Sequence, residues 1–330
     1  MDRSRDVDRG DRRDPRPGRR LSEDGVVAAV SRRQTRARAR ALSLLDDLLP
    51  RCTFPPADTP VTCAFSGGPD STALLALAIR HGCAVIAHHV DHGIRPESGD
   101  EAARARSIAE QLGVDFELHR VSVPPGPNLE ARARAARRSV LPHDALTGHT
   151  ADDQAETVII RLLRGSGSGG LAAMTPGPTH PILGLRRADT EALCAELEIT
   201  TVRDASNEVP DVWRNRVRHD LLPLARQIAG RDLTPILTRT ADLLRDDDRL
   251  LDELATSIEP TDARAVAAAD PVLARRALRR WLTVDGYPPD AASIERVLQV
   301  ARGEAIACEL PGGRRVERSN QHFRIISPDG

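Results

Sequence analysis

The stretch at residues 61–77 constrains the fold of this chain more than any other part of the sequence. Its first five residues form an apolar, β-rich run, the next six read Ser-Gly-Gly-Pro-Asp-Ser, and the last six are mainly alanine and leucine. That order predicts a strand, a tight turn and the first turn of a helix. Gly67 and Gly68 have no Cβ, so their backbone amides can approach an anion, and the unpaired amides of the helix start add positive partial charge. The stretch therefore predicts a phosphate-binding turn.

This turn differs from the Walker-type phosphate loop. That loop needs a lysine to reach the β- and γ-phosphates, whereas all 47 cationic residues of this chain are arginine. Ser66 and Ser71 add hydroxyl donors to this turn. A purely structural alternative stays open at this point, because Asp70 or Ser71 could simply cap the helix.

Length and composition limit the classes of protein to consider. A chain of 330 residues allows two domains. The formal net charge is −1, so no global basic field indicates a nucleic-acid partner. Five dispersed cysteines without a C-x-x-C pair favour reduced thiols and argue against a structural zinc site or a redox dithiol. No apolar run is long enough to cross a membrane, so we expect a cytoplasmic protein with no membrane partner.

Changes in composition predict three parts of the chain. Residues 1–22 combine arginine, aspartate, proline and glycine with few apolar side chains, which predicts a disordered tail. Residues 23–224 are predicted to contain an N-terminal helix and the catalytic domain. Residues 225–330 are predicted to form a smaller, mainly helical domain that ends in a pair of strands at 307–310 and 323–326.

The fold class follows from strands that alternate with helices. This alternation predicts an α/β domain with a doubly wound parallel sheet, in which ligands bind outside the C-terminal ends of the strands. Ser66, Asp91 and His149 each follow a predicted strand, so we expect all three to meet at one crevice. The predicted strands lie at 61–65, 84–90, 116–123 and 145–147, and the predicted helices at 99–112, 129–140 and 151–164.

Three polar residues at helical spacing form a candidate site. His149, Asp153 and Glu156 are spaced i, i+4 and i+7, so a helix that already includes His149 would place them on one face, next to an apolar face. Two structural alternatives exist. Thr150-x-x-Asp153 is close to a capping box, and Glu156 could face solvent.

Two further polar stretches are ambiguous. Asp91 and the His-Gly that follows it can form either part of the site or an ordinary Asx turn. Arg214, Arg216 and Arg218 alternate, which fits either a solvated face or a surface that closes over a polyanion. The Ser-Gly-Ser-Gly-Gly run at 166–170 predicts a mobile loop.

Taken together, these motifs resemble the tRNA(Ile)-lysidine synthetase family, which is part of the superfamily of N-type ATP pyrophosphatases with a PP-loop. The turn alone marks only the superfamily, but the order of the other blocks is specific. The motifs that carry the resemblance are Ser-Gly-Gly-Pro-Asp-Ser at 66–71, Val-Asp-His-Gly-Ile-Arg at 90–95, Asn-Leu-Glu-Ala-Arg-Ala-Arg at 128–134, Gly-His-Thr-Ala-Asp-Asp-Gln-Ala-Glu-Thr at 148–157, Leu-Leu-Arg-Gly-Ser-Gly at 162–167 and Arg-Asn-Arg-Val-Arg at 214–218.

The resemblance implies an ATP- and Mg²⁺-dependent ligase. It would adenylate the wobble cytidine of the CAU anticodon of tRNA-Ile, release pyrophosphate, and let free L-lysine displace AMP to form lysidine. The implied ATP-binding residues are Ser66, Gly67, Gly68, Pro69, Asp70, Ser71 and Asp91, with Asp70 as the metal ligand. The implied catalytic residues are Asp70, His149, Asp153, Glu156 and Arg214. The second domain would bind the tRNA.

Some features depart from this pattern, and other functions stay open. Few aromatic residues remain at positions where relatives often carry them, for instance at 135–138 and before Arg214, and the tail at 1–22 is extra. A tRNA thiolase of the same superfamily is the closest alternative, but such enzymes usually use paired cysteines. An ammonia-using amidating ligase and a non-catalytic nucleotide sensor are further alternatives. A homodimer also stays open, because the sequence does not determine the oligomeric state.

Overall fold

The computed structural model describes residues 37–91, 93, 98–122, 129–202, 212–284 and 287–327. The predicted tail at 1–22 and the start of the predicted N-terminal helix lie outside these residues. The rest of that helix is helical and is called α1 here.

The N-terminal part of the chain alternates strands and helices, as the sequence predicts. Its helices are α1 at 37–48, α2 Pro69–His81, α3 Ser98–Leu112, α4 Leu129–Val140, α5 Ala151–Leu163, α6 Ser168–Leu171, α7 Arg187–Glu196, α8 Val212–Arg216 and α9 Leu222–Ala229, and its strands are β1 Pro60–Ala64, β2 Ala84–Asp91 and β3 Asp115–Arg120.

The strands form a parallel sheet in the order β1-β2-β3. In the register of this sheet Cys63 lies beside Ala87, and Ala87 lies beside Phe116. That row faces the core, where Cys63 and Ala87 are fully buried together with Leu74 and Leu77 of α2. Side chains alternate across a strand, so this face packs against α2 and α3. The predicted parallel sheet with flanking helices is confirmed.

The predicted fourth strand at 145–147 is reduced to a single parallel bridge. Leu146 pairs with Cys63 on the edge of β1 opposite to β2, where its amide donates to the carbonyl of Thr62 and its carbonyl accepts from the amide of Ala64, both at 2.8 Å. The preceding residues 142–144 form a turn, so the chain runs along β1 for too short a distance to form a ladder. The bridge still places the following residues at the C-terminal edge of the sheet.

The C-terminal part is mainly helical and has its own apolar core. That core includes Leu278, Leu298, Val316 and Phe323. Its helices are α10 Thr234–Ala255, α11 Ala263–Ala268, α12 Pro271–Leu282 and α13 Ala291–Arg302, and its strands are β4 Ala307–Glu309, β5 Arg315–Ser319 and β6 His322–Ile326.

Two local predictions are wrong. The predicted strand pair at 307–310 and 323–326 is a three-stranded antiparallel sheet, because β5 lies between β4 and β6 and pairs with both. The sequence of β5, Arg-Val-Glu-Arg-Ser, is mostly charged and has one buried apolar residue, Val316, so it lacks the apolar alternation that predicts a strand. The loop predicted at 166–170 contains the short helix α6.

The segment at 168–174 is held between α5 and α10. On the α5 side, the Gln154 amide exchanges two hydrogen bonds with the backbone of Met174, and Arg161 donates to the carbonyl of Gly170 at 2.6 Å. On the α10 side, Arg245 donates to the carbonyls of Ala172 and Met174 at 2.8 Å. These bonds occupy backbone carbonyls that a free glycine-rich loop would expose to water.

Among the described residues, none of the helices combines the length and apolar character that crossing a membrane requires. All five cysteines are free thiols, in line with the reduced state that their spacing favours.

Candidate active site

The Ser-Gly-Gly-Pro-Asp-Ser turn joins β1 to α2, as the sequence predicts. Gly68 is the N-cap of α2, so the unpaired amides of that helix face the turn. The Ser71 hydroxyl donates to the carbonyl of Gly68 at 3.1 Å. The Ser66 hydroxyl oxygen lies 3.1 Å from the Ser71 hydroxyl oxygen. The amides of Ser66 and Gly68 donate to these hydroxyls over 3.3 and 3.4 Å. Such long bonds are easily exchanged for bonds to a phosphate.

Two glycines allow close backbone approaches at this turn. Gly67 has a φ of +81°, and a Cβ there would lie 2.8 Å from the Val202 side chain. A Cβ on Gly148 would lie 2.9 Å from the carbonyl carbon of Asp70 and from the amide nitrogen of Ser71. Gly148 thus lets the segment that carries His149 touch the backbone of the turn.

His149 lies two residues before α5 begins, so the condition under which it would share a helical face with Asp153 and Glu156 is not met. Helical geometry starts only at Ala151, because Thr150 has an extended backbone. The Thr147 hydroxyl donates its single proton to the carbonyl of Thr179 at 2.8 Å, and it lies 2.8 Å from Nδ1 of His149. That hydroxyl also lies 2.7 Å from Nδ1 of His180. Because its single proton goes to the carbonyl, Nδ1 of each histidine is the donor to it, and Nε2 of His149 is the atom that can gain or lose a proton.

Asp153 is both a helix cap and part of an ion-pair cluster. Its Oδ2 accepts from the amide and the hydroxyl of Thr150, both at 2.9 Å. The capping-box alternative is therefore correct, but it accounts for only one of the two carboxylate oxygens. Its Oδ1 accepts from Arg187 at 3.0 Å. Burial opposes the ionisation of Asp153, but Arg187 and the bonds from Thr150 outweigh it and hold the pKa of that carboxyl below its ordinary value.

Glu156 does not face solvent, in contrast to the second alternative. Only 1% of the residue is exposed. Both of its carboxylate oxygens accept from Arg218, Oε1 from Nε at 2.7 Å and Oε2 from Nη2 at 2.9 Å. This fork-to-fork pair is the strong form of an arginine–carboxylate contact.

The structure adds Arg187, which the sequence did not single out. Its guanidinium joins three carboxylates: Nη2 lies 3.0 Å from Asp153, Nη1 lies 3.5 Å from Glu156, and Nε lies 3.7 Å from Asp70. An arginine at the first residue of a helix is unfavourable for the helix dipole. Acidic partners nearby would offset this cost. Arg186 and Arg187, which directly follow the apolar run at 181–185, were therefore a signal in the sequence that acids lie close to them.

Asp70 lies in the first turn of α2 and is the least compensated of these acids. Its Oδ1 accepts from the Thr190 hydroxyl, and its Oδ2 lies beyond hydrogen-bond distance of Arg187. Burial is the main reason why its pKa rises to about 6, and the nearby charge of Asp153 adds to the rise. A cation beside Asp70 would relieve this penalty.

Arg214 contacts α5 next to this cluster, and Asp91 lies at the C-terminal end of β2. Arg214 is in α8, and its Nη2 contacts the Thr157 hydroxyl of α5 at 3.5 Å. Asp91 ends β2, and its Oδ1 accepts from the amide of Gly93 at 2.9 Å, which is the Asx turn that the sequence left open. His92, which lies between Asp91 and Gly93 in the sequence, is outside the described residues.

We expect Arg187→Met to lower the free energy of unfolding by about 3–5 kcal/mol, because it leaves buried carboxylates without their shared cation. Chemical denaturation followed by circular dichroism measures this loss. Arg80→Met is the matched control: it removes the exposed partner of Asp46, which costs at most about 1 kcal/mol. Equal stability of the two variants would contradict the central role of Arg187.

Comparisons with known proteins agree with this geometry. The model of the PP-loop domain matches residues 37–225. The tRNA(Ile)-lysidine synthase of Nocardia farcinica (strain IFM 10152) is 40% identical over 292 residues, covering 83% of this chain and 90% of the relative. The protein of the same name from Mycobacterium tuberculosis (strain ATCC 25618 / H37Rv) is 37% identical over 277 residues, covering 76% of this chain and 85% of the relative.

A solved structure of the U34-tRNA thiolase NcsA from Methanococcus maripaludis, with its [4Fe-4S] cluster, superimposes with a TM-score of 0.49 at 18% identity. The superposition covers 63% of this chain and 80% of that chain. The family model and the curated relatives carry the assignment without this structure. Because the PP-loop model spans more than half of the chain and a relative at 40% identity aligns with most of it, the chain belongs to the tRNA(Ile)-lysidine synthase family of PP-loop proteins.

Proposed function

We propose that this chain is a ligase that joins free L-lysine to C2 of the wobble cytidine in the CAU anticodon of tRNA-Ile. In the first step the C2 carbonyl oxygen attacks the α-phosphate of ATP, and pyrophosphate leaves. In the second step the ε-amine of lysine attacks C2, AMP leaves with the oxygen, and the amine loses a proton. The amide-like oxygen is a poor leaving group, and adenylation turns it into a good one. Because tRNA is the substrate, we expect the enzyme to work in the cytoplasm.

The observation that carries this proposal is the meeting of the phosphate-binding turn with the acids of α5. Gly148 brings the two segments into backbone contact, and Arg187 spans Asp70, Asp153 and Glu156. A nucleotide held by the turn would thus lie beside buried carboxylates that suit a cationic second substrate. A simple nucleotide sensor has no use for such acids.

The turn would hold the leaving pyrophosphate. The turn contains the amides of Gly67 and Gly68 and the hydroxyls of Ser66 and Ser71 as donors, and the start of α2 adds its dipole. Donors fixed in place before the reaction stabilise charge as it develops on the leaving group. Pro69 fixes the first residue of α2 and has no amide that would go unpaired there.

The residues at the turn fit Mg²⁺. Mg²⁺ is usually held by one or two carboxylates together with phosphates and water. Asp70 supplies such a carboxylate, and a bound cation would offset the burial that raises the pKa of this group to about 6. When bound, the ion would neutralise negative charge on the phosphates.

The acids of α5 would receive lysine. Asp153 and Glu156 are suited to ammonium groups, since charge-assisted hydrogen bonds are the strong kind. Nε2 of His149, in its unprotonated form, would accept the proton that the ε-amine loses. Arg214, next to the cluster, would contact phosphates of the nucleotide or the tRNA.

Incorporation of labelled lysine tests this function. We expect purified protein to transfer ¹⁴C-lysine to a tRNA-Ile transcript with a CAU anticodon only when ATP and Mg²⁺ are present, and to release pyrophosphate as it does so. A transcript whose wobble base is changed from C to U is the control, because uridine has no lysidine product. Transfer of sulfur instead of lysine, or labelling of the control transcript, would refute the proposal.

A further inference from the structure

Arg218 occupies the place that the ammonium of lysine would need. Its guanidinium covers both oxygens of Glu156, at 2.7 and 2.9 Å, and its Nη2 also lies 3.4 Å from Oδ1 of Asp153. The side chain of Arg218 is 22% exposed, whereas that of Glu156 is 2% exposed. The arginine thus lies between the acid and the solvent.

Most of the acceptor positions on the two acids are already taken. A carboxylate offers about four lone-pair positions. Oδ2 of Asp153 accepts twice from Thr150, and Oδ1 faces Arg187 and Arg218. Glu156 accepts twice from Arg218 and lies 3.5 Å from Arg187. An ammonium group, which has three donors, can place all of them on these acids only if one guanidinium leaves.

Of the two arginines, Arg218 is the one that can leave. Arg187 contacts three carboxylates, and its backbone amide donates to Asp152 at 2.9 Å at the start of α7. Arg218 contacts two carboxylates and lies in a π-helical turn, Val217–Leu221, of the kind often found at functional sites. Its departure would vacate three contacts, which equals the number of donors on an ammonium group.

The exchange needs two ligands. Glu156 is buried, so leaving it without a cation is strongly unfavourable. Arg218 in turn needs a new anion when it leaves Glu156. The polyphosphate of a nucleotide at the 66–71 turn is such an anion, and arginine suits bidentate contacts to phosphate. Nucleotide and lysine would therefore each favour the arrangement that the other requires.

We propose that Arg218 blocks the lysine site in the ligand-free enzyme and moves from Glu156 to the phosphates when ATP binds, so that lysine binds after the nucleotide. This inference rests on the proposed function, because it takes lysine as the second substrate. Coupling between two ligands is reciprocal. Lysine should accordingly tighten the binding of the nucleotide by the same factor.

Calorimetric titration of lysine tests the coupling. We expect the wild-type protein to bind lysine at least about tenfold more tightly in the presence of Mg²⁺ and saturating α,β-methylene-ATP than in their absence. We expect Arg218→Gln to bind lysine without the analogue as tightly as the wild type binds it with the analogue. In that variant the analogue should change the affinity less than about twofold.

Controls separate this inference from the function itself. Arg249→Gln, which removes an exposed arginine paired with Glu253 on α10, should show the wild-type coupling. Equal lysine affinity with and without the analogue in a wild-type protein that labels tRNA with lysine overturns the inference alone. So does coupling that persists in folded Arg218→Gln; if this variant does not fold, the wild-type titration decides the matter. Absence of both lysine binding and tRNA labelling overturns the proposed function and the inference with it.

Discussion

Gly148→Ala should reduce lysine incorporation by about 100-fold or more, although the substitution adds one methyl group. The new Cβ would lie 2.9 Å from backbone atoms of Asp70 and Ser71, and backbone cannot rotate away as a flexible side chain can. Either the phosphate-binding turn or the segment of His149 must shift. Displacement of reacting groups by about 1 Å is enough for a loss of about 10²-fold.

Steady-state labelling of the tRNA with lysine measures this loss, and circular dichroism checks the fold. Gly99→Ala is the matched control, because Gly99 lies in α3 and a Cβ there meets no atom within 4 Å. That variant should keep wild-type activity. A fully active Gly148→Ala would show that the two segments do not act together.

Asp70→Asn should have opposite effects on activity and stability. Activity should fall by at least about 100-fold, since even the outer-shell partners of a metal contribute about 10–100-fold. The ligand-free protein should become more stable at pH 8. Burial raises the pKa of Asp70 from 3.8 to about 6, so above pH 6 the folded state carries an unfavourable charge that asparagine removes. That charge costs up to about 3 kcal/mol.

The dependence on pH gives the sign of this effect. The pKa of Asp70 is higher in the folded state than in the unfolded state, so its protonated form favours folding. This contribution to stability is complete below pH 3.8 and is lost as the pH rises through 6. The melting temperature of Asp70→Asn should therefore exceed that of the wild type above pH 6, and the two should converge as the pH falls towards 4. Melting curves in EDTA without nucleotide provide the measurement. A variant that is less stable at pH 8 would contradict the assignment.

Local sequence was sufficient for the turn at 66–71. The strand, the two glycines and the helix start are encoded within twelve residues, and the structure reproduces all three. The same holds for α4 and α5, whose ends match the predictions to within one residue. Short-range features of this kind depend on the backbone preferences of neighbouring residues.

The ion-pair cluster could not be predicted in the same way. Arg187 and Arg218 are 34 and 62 residues from the acids that they contact, and a basic side chain in the sequence gives no indication of which acid it will meet. The sequence placed Asp153 and Glu156 at the site but left their surroundings open. It also left open whether His149 shares a helical face with these acids, because spacing alone does not show that Thr150 is already extended.

Helix α5 has a consequence for how members of this family can be recombined. Its Asp152 pairs with Arg186, and Arg186 also pairs with Asp232, just before α10. These ion pairs link the helix that carries the acids to the C-terminal part. The two parts are therefore not interchangeable modules. In a chimaera, the C-terminal part of a relative will make these contacts only if it carries an aspartate and an arginine at the positions of Asp232 and Arg245.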